Sequence, residues 1–409
     1  MKRWIPILSI LIALSLLAAC GPQPALDPTP TATPRIEGGQ PPAADTTPEP
    51  QDADDDDEPA GEATATVVPV YGPDDFPPGV NPLTGLAVED PERLERPPLL
   101  IKVSNQSDEV RPQSGLSFSD HVWMYHMEGW GQTRYTAVVY GQSPEYVGSV
   151  RSVRLIDTEH LIPMYDGLLA YSGGSIGMNG IIARAPWRNR TFGDDGSGTM
   201  VRLPDTPREG TAYYHVLFAR PEALWAAAEE RSVSTPPDLH GLRFDPAPPA
   251  GGSATDAMGI DYPGRGPRQI WRYDGESGRG RSWAGMQMVI GPEPSPDEDY
   301  LTGEQLAFDN VVVIWAEHYL ADFIEDEPNQ LLSVGMNLTG EGSAVLLRDG
   351  QRYDVTWRRD DPEALIQFYG ADGELIPFKP GQTWFHVALP PDWDYSPEVL
   401  YNADVIGGE

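Results

Sequence analysis

From Asn81 onward the chain alternates short apolar runs with glycine, proline and aspartate breaks. Residues 99–103 (LLIKV) read as a buried strand that ends at Ser104-Asn105. Residues 122–127 and 135–140, rich in aromatic and β-branched side chains, read as two more. Residues 155–164 predict a short helix before Tyr165-Asp166-Gly167. Residues 168–171 return as a strand and run into Ser172-Gly173-Gly174-Ser175, which opens a helix reaching about Arg184. Residues 221–231 (PEALWAAAEER) form the clearest helix, with proline in its first turn. Strands alternating with helices predict an α/β or α+β domain over 79–245.

Residues 246–266, rich in glycine, proline, alanine and aspartate, predict a linker. Beyond it the pattern is mostly strand: 269–273, 311–315, 331–338, 344–347, 353–357, 366–369 and 383–387. Asp349-Gly350 and Asp372-Gly373 are hairpin-turn dipeptides. A smaller, mostly antiparallel β domain over 267–409 follows from this.

The amino-terminal part reads differently. Met1-Lys2-Arg3 precede an apolar run over 4–19, and Leu17-Ala18-Ala19-Cys20 follows. The run is short for a permanent span. The segment over 1–20 resembles a lipoprotein signal peptide, which implies cleavage before Cys20 and lipidation of its thiol and new amino group. The implied location is extracytoplasmic, with the lipid anchor as the membrane partner. Cys20 is the only cysteine of 409 residues, so an internal disulfide, a CxxC zinc site and thiol catalysis elsewhere are excluded.

Residues 21–78 are dominated by proline, threonine, alanine and acid, and predict a disordered tether. A flexible coil of that length spans roughly 40 Å root-mean-square. The formal charge is −34. Thirteen acidic residues and one arginine lie between Gly21 and Asp75, and Lys2 and Arg3 add two positive charges before them, so the chain beyond the tether carries a net charge of −24. Nucleic acid is excluded as a partner, because phosphate binding needs clustered lysine and arginine. No motif calls for a metal or cofactor, and none is expected.

Several stretches together resemble the YerB-like lipoproteins, a bacterial family of unknown function with two domains. They are NPLTGL (81–86), RPQSGLSFSDHV (111–122), TRYTAVVYGQSPEYVGSVRSVR (133–154), LTGEQLAFDNVVV (301–313) and PGQTWFHV (380–387). The resemblance covers about 80–390 and implies a cell-surface lipoprotein without an assigned reaction. This chain departs from the family's pattern at Met124 and around Tyr214-His215.

Candidate chemistry centres on arginine. Arg151 and Arg154 flank Ser152 in GSVRSVR, and Arg111 and Arg134 fall in neighbouring recognisable segments. Guanidinium forks at a strand-to-helix junction can hold a carboxylate or phosphate; the alternative is that they pair with the chain's many carboxylates. Gly173 and Gly174 let a ligand approach the backbone, or simply make a tight turn. Asp120, His126 and Glu128 share parity on a strand over 120–128, which would let His126 and Glu128 act as an acid/base pair. Asp157 and His160 lie three apart on the short helix and could meet. An envelope ligand-binding or accessory role is therefore expected, with a glycan, a peptide or an anionic small molecule as candidate ligands. An envelope hydrolase using Glu128/His126 or Asp157/His160, or a structural interaction protein, are the alternatives.

Overall fold

The computed structural model describes residues 69–106, 108–262, 268–275, 282–288 and 294–406. All of them fall in one compact unit, Ala65–Glu409. The leader, Cys20 and the tether up to residue 68 lie outside the described residues.

The central sheet has eleven strands. In chain order they are β1 (Leu99–Ser104), β2 (His121–His126), β3 (Thr133–Val139), β4 (Leu168–Ala170), β5 (Thr191–Phe192), β6 (Ser253–Ala254), β7 (Asn310–Trp315), β8 (Gly340–Arg348), β9 (Gln351–Arg359), β10 (Gln367–Tyr369) and β11 (Thr383–Ala388). Their spatial order is β6-β9-β8-β7-β11-β2-β3-β1-β4-β5, with β10 also on β9. β11 joins the two halves of the sequence, running parallel to β7 on one side and to β2 on the other. The sheet therefore passes without a break from strands before residue 245 to strands after 267.

Both faces of the sheet are covered, which is why its strands are nearly all apolar. Leu100, Trp123, Tyr125, Val138, Val312, Leu346 and Phe385 face one core, with the 157–184 helices. Leu99, Ile101, Val122, Tyr135, Val313 and Trp384 face the other. This second core also takes Leu224 and Trp225 of α3 (Pro221–Glu230) and Trp271 and Trp283 of a six-stranded antiparallel sheet. The sequence pattern located eight of the eleven strands of the central sheet to within two residues, but indicated neither Ala257–Asp261, which falls within the predicted 246–266 linker, nor Ser282–Met288. It did not indicate the strand His318–Asp326, which forms a separate hairpin with Leu331–Met336. Asp349 (φ 50°) and Gly350 (φ 69°) are both left-handed, as the predicted Asp-Gly hairpin between β8 and β9 requires.

Two expectations change. Residues 69–78, read as the end of the tether, join the body: Tyr71 and Phe244 exchange backbone hydrogen bonds of 3.0 and 2.8 Å, and Phe76 packs on His240 and Phe244. The short helix predicted over 155–164 forms, spanning 155–165, but its middle, Asp157–Leu161, is π-helical and runs into a single α turn, Ile162–Tyr165.

Candidate functional site

Alternation along β1, β2 and β3 puts Lys102, Tyr125, Thr136 and Arg134 on one face of the sheet. Over them lie the 150–154 segment and the π turn. Lys102 is fully buried and its Nζ lies 3.2 Å from Asp157 Oδ2. Asp157 also accepts from Thr136 Oγ1 (2.7 Å), Tyr125 OH (3.2 Å) and the Arg154 backbone N–H (2.8 Å). Burial pushes Lys102 down to about 8, against the pull of Asp157. This pair locks the 150–157 segment onto the sheet. The lone lysine inside LLIKV was its sequence signal.

The four arginines divide. Arg154 donates to Glu128 through Nε (2.8 Å) and Nη2 (2.6 Å), and its Nη1 lies 3.4 Å from Glu325 of the 318–336 hairpin. Burial works to raise the Glu128 carboxyl, but Arg154 outweighs it and holds the group below the usual range. Arg154 is thus a brace between three segments.

Arg134 and Arg151 have no such partner. Arg134 is 3 % exposed and donates to the Thr133 carbonyl (3.2 Å) and Gln106 Oε1 (3.1 Å). Arg151 donates to the Tyr214 carbonyl (3.3 Å) and lies over the Tyr214 ring at 5.4 Å. Neither makes an ion pair with a carboxylate among the described residues. Their Nε groups are buried without a partner. Burial, and then the like charge of Arg154, lower both guanidiniums from their ordinary value. Burial and these two arginines also hold His215 neutral, at about 4. Arg111, at the rim, donates to Asn105 Oδ1.

The glycine turn lies beside this cluster. Ser172 N–H donates to the Arg151 carbonyl and Val153 N–H to the Gly173 carbonyl, both at 3.0 Å, so Ser152 and Gly173 sit on adjacent strands of chain. Gly173 has φ +149°, which disfavours a side chain, yet a Cβ there would meet nothing within 4 Å. Space beside Gly173 is therefore open. At Gly174 a Cβ would come within 3.0 Å of Val153, so its lack of a side chain serves packing.

The two acid/base pairs do not assemble. Strand β2 ends at His126, so parity no longer carries to Glu128 beyond it. His126 packs edge-on against Trp130, Tyr262 and His318, and burial, with His318 nearby, lowers it to about 3. Glu128 turns instead to Arg154. Likewise the wide π turn separates Asp157 from His160. His160 Nδ1 accepts from Arg359 (3.1 Å) and its Nε2–H donates to the Met336 carbonyl (2.6 Å). Burial holds it neutral at about 4. Among the described residues no group of three or more His, Cys, Asp or Glu is placed to hold a metal ion.

The fold and this cation cluster define a mixed-sheet body built from two segments of the chain. Residues 83–234 match the N-terminal domain, and residues 259–385 the C-terminal domain, of the family described as protein of unknown function DUF3048. The chain belongs to that family. It is 25% identical over 321 residues to the Bacillus subtilis (strain 168) protein named "Putative lipoprotein YerB", covering 76% of this chain and 86% of that one. It also matches the crystal structure of the YerB protein from Bacillus subtilis with a TM-score of 0.61 at 23% identity, over 78% of this chain and 99% of the other.

Proposed function

We propose that this chain is an extracytoplasmic lipoprotein, anchored through Cys20, whose body binds a ligand bearing a carboxylate or phosphate at Arg134 and Arg151. The anchor is supported by the Leu17-Ala18-Ala19-Cys20 motif and by the name carried by the Bacillus subtilis relative. Among the described residues no helix is long and apolar enough to cross a membrane.

The observation that carries the binding reading is the lack of carboxylate partners. In a chain of net charge −34, two neighbouring guanidiniums, one of them buried, donate only to carbonyl and amide oxygens among the described residues. Burying a cation without a counter-charge costs stability, so such a group is expected where an arriving anion completes it. Ser152, Gly173 and the exposed Tyr214 border the open side, and Arg111 stands at the rim. Arg154 orients the segment rather than meeting the ligand.

Inorganic phosphate is the test probe. Phosphate at 100 times its dissociation constant should stabilise the protein by about 2.7 kcal/mol. Arg151→Ala should abolish that gain while leaving the unliganded protein as stable or more stable. A phosphate effect that survives Arg151→Ala, or no effect of phosphate, sulfate or citrate on the wild-type melt, would sink the proposal.

A further inference from the structure

We propose a second binding site, for a neutral oligosaccharide, in a cavity of about 870 Å³ on the far side of the central sheet. That volume is in the range of small-molecule sites. The cavity lies between the outer ends of β7–β10 and the strand Glu398–Tyr401 of the six-stranded sheet.

Sheet register builds its floor. Ile314 pairs with Ala344, so Trp315 comes opposite Ser343; Ser343 pairs with Thr356, and Thr356 with Tyr369. The result is one lateral row across four strands: indole, hydroxyl, hydroxyl, phenol. Three strand spacings make that row roughly 14 Å long. All four residues line the cavity, and Tyr401 closes it from the opposite wall.

The chemistry of the row fits a sugar chain. Flat aromatic rings at the two ends offer faces for the apolar sides of sugar rings, one face of Tyr369 being taken by the Arg358 guanidinium at 4.7 Å. Between them, the Ser343 and Thr356 hydroxyls make no hydrogen bond within the described residues, and neither does the Trp315 indole N–H. They are free to meet ligand hydroxyls. Charge selects against an anion: among the described residues Glu398 has no cationic partner, and Asp354 faces Arg352 at 3.5 Å. An extended peptide is disfavoured as well. β7 and β8 are paired on both sides, and the outer edge of β9 is paired at Gln351-Arg352 and at Thr356–Arg358, which leaves only the three-residue stretch Tyr353–Val355 as an edge for added main chain.

This site is separate from the arginine cluster and does not depend on it. The test is titration of the full chain, purified in detergent, with chitotetraose, maltotetraose and cellotetraose, followed by calorimetry and tryptophan fluorescence. Saturable binding of at least one is expected. Tyr369→Ala and the near-isosteric Thr356→Val should each weaken it tenfold or more, and Thr356→Val should leave the thermal melt in place. No saturable binding up to ~10 mM of any of the three overturns the proposal. So does binding unchanged in both variants, or tetragalacturonate binding as tightly as the neutral sugars.

Discussion

Arg154→Ala isolates the brace. Arg154 is 10% exposed and stands between Glu128 (7%) and Glu325 (2%). Removing it leaves two buried carboxylates facing each other, a loss of about 3–5 kcal/mol by comparison with broken buried pairs. A melting temperature moves roughly 2–4 °C per kcal/mol in domains of 150–250 residues. For this larger body the low end applies, giving a drop of about 6–10 °C. The pH dependence separates electrostatic from packing loss. In the native chain Arg154 holds Glu128 low, so that group contributes stability above about pH 4.3 and loses it as pH falls through its lowered value. Glu325 runs the other way. Burial raises it, so its contribution is present at low pH and fades as pH rises through its raised value. Without Arg154 both carboxyls are raised, and protonating them relieves the strain. The deficit of the variant should therefore shrink as pH falls from neutral into the ordinary carboxylate range. Melts of both proteins across that range decide it. A deficit below about 1 kcal/mol, or one that stays constant with pH, would refute the brace.

Lys102 should titrate near 8 in a side-chain NMR experiment, and its contribution to stability should grow as pH rises from there toward its unfolded value near ~10.4; a titration above 10 would show that Asp157 outweighs burial. A chain beginning at residue 69 should melt with the full chain. One beginning at residue 79 should lose ~1–3 kcal/mol, because it lacks the Tyr71–Phe244 pairing and the Phe76 contacts; equal melts would mean these contacts add nothing. Cys20→Ser should abolish incorporation of a palmitate analogue in metabolic labelling, and undiminished acylation would rule out the anchor.

Strand positions were legible because both faces of the central sheet are buried. A run such as LLIKV or NVVVIW has no other place to go, and its length identifies a strand. The sheet's continuity was not legible. It depends on β11 lying parallel to both β2 and β7, partners about 260 residues and about 70 residues away in sequence. Local pattern carries no information about such pairings. The hairpin strand His318–Asp326 was missed for a related reason. Much of it is half-exposed or exposed, so it lacks the continuous apolar run of the core strands.

The arginines show the same division at the level of a site. Their clustering was visible as arginine-rich motifs in an acidic chain. Which of them is neutralised was not, because the partners come from afar: Glu128 from the turn after β2, Glu325 from the hairpin, Gln106 from the loop after β1, Tyr214 from the short turn before α3. Sequence neighbours Arg151 and Arg154 end in opposite electrostatic situations. Three residues of extended chain carry one into a carboxylate sandwich and leave the other over an aromatic ring. The pairing of Arg154 also explains why Arg134 and Arg151 can remain unpaired without unfolding the segment. Glu128 and Glu325 anchor the 150–154 stretch from one side and Asp157 from beneath, through the Arg154 backbone N–H and Lys102. With the stretch held at those points, Arg151 is not needed to hold it. Its guanidinium is left to whatever anion reaches the open side beside Gly173.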